Sequence, residues 1–156
     1  MKKINVVIIL TLFAIAICFA QNKIADGSTV KVLIGKKEFS LVAATEPGSQ
    51  IQGLSGKKRM PKDGMIFIFG EPHPLAFWMK DMNFAIDIIW VKNNEISGFA
   101  QNAQPEPGKP DYLLQKYFSP DDADTVIELN AGDVEKFRIK VGDKIKITAD
   151  DKMIGR

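Results

Sequence analysis

From Thr29 the chain alternates polar and apolar residues as far as Ile34, and after Gly35-Lys36 the alternation resumes through Lys37–Ala43. Period-two alternation broken by a glycine-bearing dipeptide predicts a β-hairpin. Thr45 ahead of Glu46-Pro47 is a helix-start signal, with threonine as N-cap and proline suited to the first turn. A short helix is therefore predicted up to about Leu54, where Gly53-Leu54-Ser55-Gly56 breaks it. Gly64–Phe69 is apolar at almost every position, the pattern of a strand covered on both faces. Leu75–Met79 and Phe84–Val91 read as two more strands, and Asn93-Asn94 should turn the second of them into a hairpin with Glu95–Ala103.

The segment Gln104–Asp124 holds four prolines and few strand formers, so it reads as a long loop of the kind that is often functional. Thr125–Leu129 is a short strand. Asn130 followed by Asp133 resembles a capped helix start, with Val134–Arg138 as the helix, and Lys144–Ala149 is a last alternating strand. The pattern predicts one compact, β-rich α+β domain over residues 29–150, with a six-residue tail at 151–156. Its sheet should be rolled or barrel-like and mostly antiparallel, with about seven or eight short strands and two short helices. A two-sheet sandwich is the alternative.

Ahead of this domain the pattern changes. Met1-Lys2-Lys3 is basic and Ile4–Ala20 is apolar except at Asn5 and Thr11, which matches a secretory signal peptide cut between Ala20 and Gln21. Retention as a membrane anchor, or acylation at Cys18, are the alternatives, although Ile17 is bulky for a lipoprotein site. Export would place the protein in the periplasm or outside the cell, with residues 21–28 as a flexible leader, and the protein would meet a membrane only if the segment stayed attached.

Cleavage changes the composition in a useful way. The full chain has 156 residues, 21 basic and 19 acidic side chains, one Cys and one His, but the segment 1–20 takes Lys2, Lys3 and Cys18 with it. What remains is electrically neutral and free of cysteine, so disulfides, thiolate nucleophiles and thiolate metal sites drop out. Zero net charge also argues against nucleic acid as a partner. No cofactor motif is present. Met60, Met65, Met79, Met82 and His73 could together suit Cu(I), yet Met65 and Met79 fit core strand positions, and no metal site is assigned.

Gly53-Leu54-Ser55-Gly56 with basic residues through Arg59, then Gly64-Met-Ile-Phe-Ile-Phe69, Phe77-Trp-Met-Lys-Asp-Met82, Ile86-Asp-Ile-Ile-Trp90, Gln104-Pro105 and Ile127-Glu-Leu-Asn-Ala-Gly132 follow one another in a recognisable order. Over roughly Lys37 to Ile147 the chain resembles the bacterial and archaeal family known as domain of unknown function 192. The resemblance implies a single compact β-rich domain, commonly exported, and carries no activity with it. Ala85 stands where that family usually has proline, which loosens the start of a strand and removes no reactive group.

Candidate chemistry comes from charged residues among apolar ones. Asp87 shares its strand face with Ala85, Ile89 and Val91, and Glu128 lies beside Val126; such carboxylates are costly unless paired. Lys80 and Arg59 are the natural partners, giving either a buried ion pair that fixes register or a polar floor to a pocket walled by Trp78. A catalytic carboxylate pair is a further option. Ser55 lacks a G-x-S-x-G setting and an obvious base, and Lys57-Lys58-Arg59 reads as a solvated turn.

Three functions follow as expectations, with Arg59, Trp78, Lys80, Asp87 and Glu128 as candidate ligand-binding residues. The leading one is a noncatalytic envelope module that binds a small molecule, an envelope polymer or an envelope protein. The others are a hydrolase of an envelope polymer or glycan with Asp87 or Glu128 as acid or base, and a structural or assembly factor.

Overall fold

The computed structural model describes residues 23–149, and within them the first hairpin forms as its alternation predicts. β1 (Thr29–Ile34) pairs antiparallel with β2 (Lys37–Ala44), setting Val32 opposite Phe39. The expected signal segment 1–20 and tail 151–156 lie outside the described residues. No helix among the described residues is long and apolar enough to cross a membrane.

β2 then runs parallel to β3 (Gly64–His73), and the crossover between them carries α1 (Pro47–Gln52). This is the one parallel pair in a sheet whose other pairings are antiparallel. β4 (Ala76–Trp78), β5 (Ile86–Lys92), β6 (Glu95–Ala103), β7 (Lys116–Phe118), β8 (Ala123–Asn130), α2 (Asp133–Lys136) and β9 (Ile145–Ala149) complete the chain. Seven strands form one sheet in the order β6-β5-β8-β3-β2-β1-β9, while β4 and β7 make a separate ribbon. The sheet curls until its two edge strands meet at one end. There the Ile96 N–H donates to the Asp143 carbonyl at 2.9 Å, and the Ile145 N–H donates to the Asn94 carbonyl at 2.9 Å.

Curling explains the two kinds of hydrophobic pattern. Val30, Val32, Phe39, Leu41, Ile66, Ile89, Ile127 and Ile145 fill the interior of the roll. Strands β3, β5 and β8 are also covered on their outer face, where Met65, Phe67, Ile88, Trp90 and Val126 pack with Leu54, Leu75, Met79 and Met82. Strands in the middle of such a stack read as unbroken apolar runs, as Gly64–Phe69 does. Gly64 itself is fixed by close approach: a Cβ there would stand 2.1 Å from the Glu128 carbonyl oxygen.

The Gln104–Asp124 segment is less irregular than its composition suggests. It contains a 3-10 turn at Asp111–Leu113, the strand β7 and the start of β8. β7 exists because β4 pairs with it, placing Phe77 opposite Tyr117, and a partner supplied from elsewhere in the chain leaves little local signal.

Neither helix is capped as its local sequence predicts. Thr45 does not cap α1; the N-cap position falls at Glu46, which makes no side-chain cap bond. Asp26, from the expected flexible leader, accepts instead from the N–H groups of Thr45 at 2.8 Å and Glu46 at 3.2 Å, and from the Ser49 hydroxyl. The Ser49 bond, followed by those backbone bonds, holds the Asp26 carboxyl below the usual carboxylate range. With Ile24 packed against the interior core, the end of the leader belongs to the domain.

At α2 the N-cap is Gly132 rather than Asn130, with φ near 90°, and the acceptor is again remote. Asp87 Oδ2 accepts from the N–H groups of Gly132 at 3.0 Å and Val134 at 2.9 Å, while Oδ1 accepts from the Asn102 N–H at 2.8 Å. Asn102 sits in a bulge of β6 opposite Ile86–Ile88, with φ of 53°. Asp87 is fully buried, and three backbone donors take the place expected for Lys80 or Arg59. Backbone N–H donors compensate the burial of such a side chain without a counter-charge.

Replacing Asp87 with alanine strips three N–H groups of their acceptor at once. Asp87→Ala is expected to lose about 3–5 kcal/mol in a urea titration, against a smaller loss for Asp87→Asn, which keeps one acceptor oxygen.

Candidate functional site

A catalytic pair of carboxylates was one option for Asp87 and Glu128, and the register keeps the two apart. β5 and β8 pair so that Asp87 is opposite Leu129 and Ile88 is opposite Glu128. Directly opposed residues share a face and neighbours along a strand do not, so Asp87 points into the roll and Glu128 points to the outer layer. The two cannot act as an acid and base on one substrate.

The outer layer is open beside Glu128. A pocket of about 390 Å³ lies between α1 and β4, with exposed Ile51 and Trp78 at its rim and buried Phe67, Leu75 and Met82 deeper in. This volume falls within the range of small-molecule sites, about 300–1,000 Å³. Phe77 stands nearly perpendicular to both Phe67 and Phe69, at 83° and 86°, so three ring planes meet at angles around the cavity. The exposed Ile51 reflects its position: α1 offers no buried residue to the core and presents apolar surface to this groove.

Glu128 lies at the base of the groove and is 5% exposed. Its Oε2 has no hydrogen-bond partner, and it is the only titratable group among the described residues lining the pocket. From the elements around it, β3 brings Met65 and Phe67, β5 brings Ile88, α1 brings Gln50 and Gln52, and β4 brings Phe77 and Trp78. None of these titrates. Burial without compensation pushes the Glu128 carboxyl up from the ordinary 4.5 to about 8, so it holds its proton at neutral pH.

The remaining candidates are distributed elsewhere. Lys80 forms an ion pair with Asp111 and lies 5.9 Å from the Trp78 ring centroid. The Asp111 hydrogen bond raises the Lys80 ammonium above the usual lysine range. Lys80 lines a small neighbouring cleft with Glu106, Lys109 and Asp111, so it and the Gln104–Asp124 loop stand apart from the larger pocket. Arg59 is exposed and in no ion pair among the described residues. Ser55 lines the pocket, but its hydroxyl donates to the Lys80 carbonyl at 2.8 Å. Met65 and Met79 are core residues. His73 is exposed with its Nδ1 2.9 Å from the Glu71 carbonyl, and no group of three or more potential metal ligands occurs among the described residues.

The structure brings Trp78 and Glu128 to one pocket, and its walls Ile51, Phe67, Phe69 and Phe77 are residues that the sequence reading had not singled out. The unbroken apolar run Gly64–Phe69 was the available signal, because a strand covered on both faces needs an outer layer, and an incomplete outer layer leaves a groove.

Fold and site together define a rolled β-sheet domain carrying an aromatic groove with one buried carboxyl on its outer face. The family model DUF192, described as "Uncharacterized ACR, COG1430", matches residues 29–147, and the chain belongs to this family. No curated protein matches it. A crystal structure from Sinorhizobium meliloti 1021, provisionally described as a transcription regulator, is similar at 27% identity with a TM-score of 0.66, covering 76% of this chain and 92% of that one. A protein of unknown function from Novosphingobium aromaticivorans DSM 12444 is similar at 26% identity and a TM-score of 0.62, covering 76% of this chain and 83% of that one.

The Glu128 proton has a stability consequence with a definite sign. Below about pH 4.5 both folded and unfolded chains hold it; above that the unfolded chain ionises while the folded one stays protonated until about pH 8. Its contribution is therefore complete in acid and is lost as pH rises across that interval, by an amount of the order of 3–5 kcal/mol. Glu128→Gln should match the natural protein in denaturant titrations at pH 4.5 and exceed it at pH 9; equal stability at pH 9 would show that Glu128 ionises freely.

Proposed function

We propose that this protein is an exported, noncatalytic envelope module that binds a small molecule or a polymer end in the groove between α1 and β4. The observation that carries this reading is the apolar, aromatic-walled pocket with one buried, unpartnered carboxyl at its base. Ligand sites are typically concave and apolar with a few polar groups that fix orientation. Export is supported by the basic and apolar pattern of residues 1–20. Transcription regulation, the provisional description of the Sinorhizobium protein, is not carried over: the chain after residue 20 has no net charge, and no cationic side chain among the described residues lines the groove.

Hydrolysis is the second reading, favoured by a Glu128 that keeps its proton at neutral pH and could act as a general acid. A second titratable group to activate water is missing from the groove lining among the described residues, which favours binding over turnover.

Calorimetric screening against envelope glycans and small metabolites tests the binding site. A genuine ligand should bind Trp78→Ala about fivefold or more weakly, since losing an aromatic anchor commonly costs more than about 1 kcal/mol, and binding indifferent to that change would remove the groove as the site. Fractionating cells that express the full chain tests export: the protein should appear outside the cytoplasm, its N-terminus at Gln21 by intact mass.

A further inference from the structure

We propose that the groove is selective for organic ammonium ions, with the cationic nitrogen on the Glu128 carboxylate and the apolar body against the Phe67, Phe69, Phe77 and Trp78 rings. This rests on the reading that the groove binds a ligand, and it names the chemical class.

The groove's own composition makes the selection. Glu128 supplies its only ionisable group among the described residues, and no Lys, Arg or His lines it to receive an anion. An anionic ligand would meet no cation, only the O–H of the neutral carboxyl, or a like charge once that carboxyl ionises. A neutral ligand would gain burial and nothing further from charge. An ammonium group answers both features: its N–H groups donate to the orphaned Oε2, and its charge gains from the aromatic rings that line the groove. Asp87, the nearest acid along the neighbouring strand, is on the opposite sheet face and satisfied by backbone donors, so Glu128 acts alone. Lys80 is engaged by Asp111 in the adjoining cleft.

Binding on this scheme moves one proton. The free site holds Glu128 as the neutral acid; the arriving ammonium keeps its own protons, and the Glu128 proton leaves to buffer as the ion pair forms. Proton release accompanies the cation and no other ligand class.

Three probes of similar shape separate the possibilities: phenethylammonium, 2-phenylethanol and phenylacetate, titrated into the purified protein at pH 6.5. Phenethylammonium should bind at least about tenfold more tightly than 2-phenylethanol, and phenylacetate more weakly than either. Repeating the ammonium titration in buffers of different ionisation enthalpy should show close to one proton released. Glu128→Gln, which is nearly isosteric, should erase the advantage of the ammonium and its proton release while 2-phenylethanol binding persists. Trp78→Ala, at the exposed rim, should weaken both. If 2-phenylethanol binds as well as the ammonium, or the ammonium advantage survives in Glu128→Gln, the cation assignment is overturned and the groove remains a binding site. If none of the three binds, both the assignment and the groove as an aromatic ligand site fall.

Discussion

The Asp87 carboxylate is the contact on which the arrangement of this domain depends. Fully buried, it ties together β5, the bulge of β6 at Asn102 and the first turn of α2 through three backbone N–H groups. Each of those groups lies where regular structure leaves a donor unused: an unpaired residue in a bulge and the start of a helix. One carboxylate satisfies all three. Val134 is thereby held against the interior core.

The other buried carboxylate has the opposite environment. Glu128, on the outer face of the central strand β8, receives no compensating donor at Oε2 and is driven towards its neutral form. A protein ordinarily avoids a buried carboxyl without partners, because such a group costs stability whichever way it titrates. The cost falls where the outer layer is incomplete, between a short helix with no buried residue and a three-residue strand. The pocket and the unsatisfied group are two aspects of that same incomplete covering.

Much of the fold was legible in the chain because it is written in local periodicity. The β1–β2 hairpin, the doubly covered β3 and the β5–β6 hairpin follow from alternation, unbroken apolar runs and Asn93-Asn94. The caps were misread because each is supplied from a distance: Asp26 reaches across 19 positions to Thr45, and Asp87 across 45 to Gly132. The strand β7 was hidden for the same reason, since three residues with one partner strand carry almost no pattern of their own. The parallel pairing of β2 with β3 depends on how the α1 crossover returns, which periodicity does not encode.

The candidate site divides along the same line. Sequence by itself determined which residues would be conspicuous: two carboxylates in apolar strands, an aromatic-rich stretch around Trp78, and beyond residue 20 a balance of acidic and basic side chains with no thiol. It also determined, through the period of two, that Asp87 and Glu128 must each point to one face of the sheet. Only the tertiary structure decided which face, because that depends on the pairing register of β5 with β8. One residue of register separates a domain with two carboxylates facing each other from one in which the first is a structural clasp and the second stands alone beneath an aromatic groove.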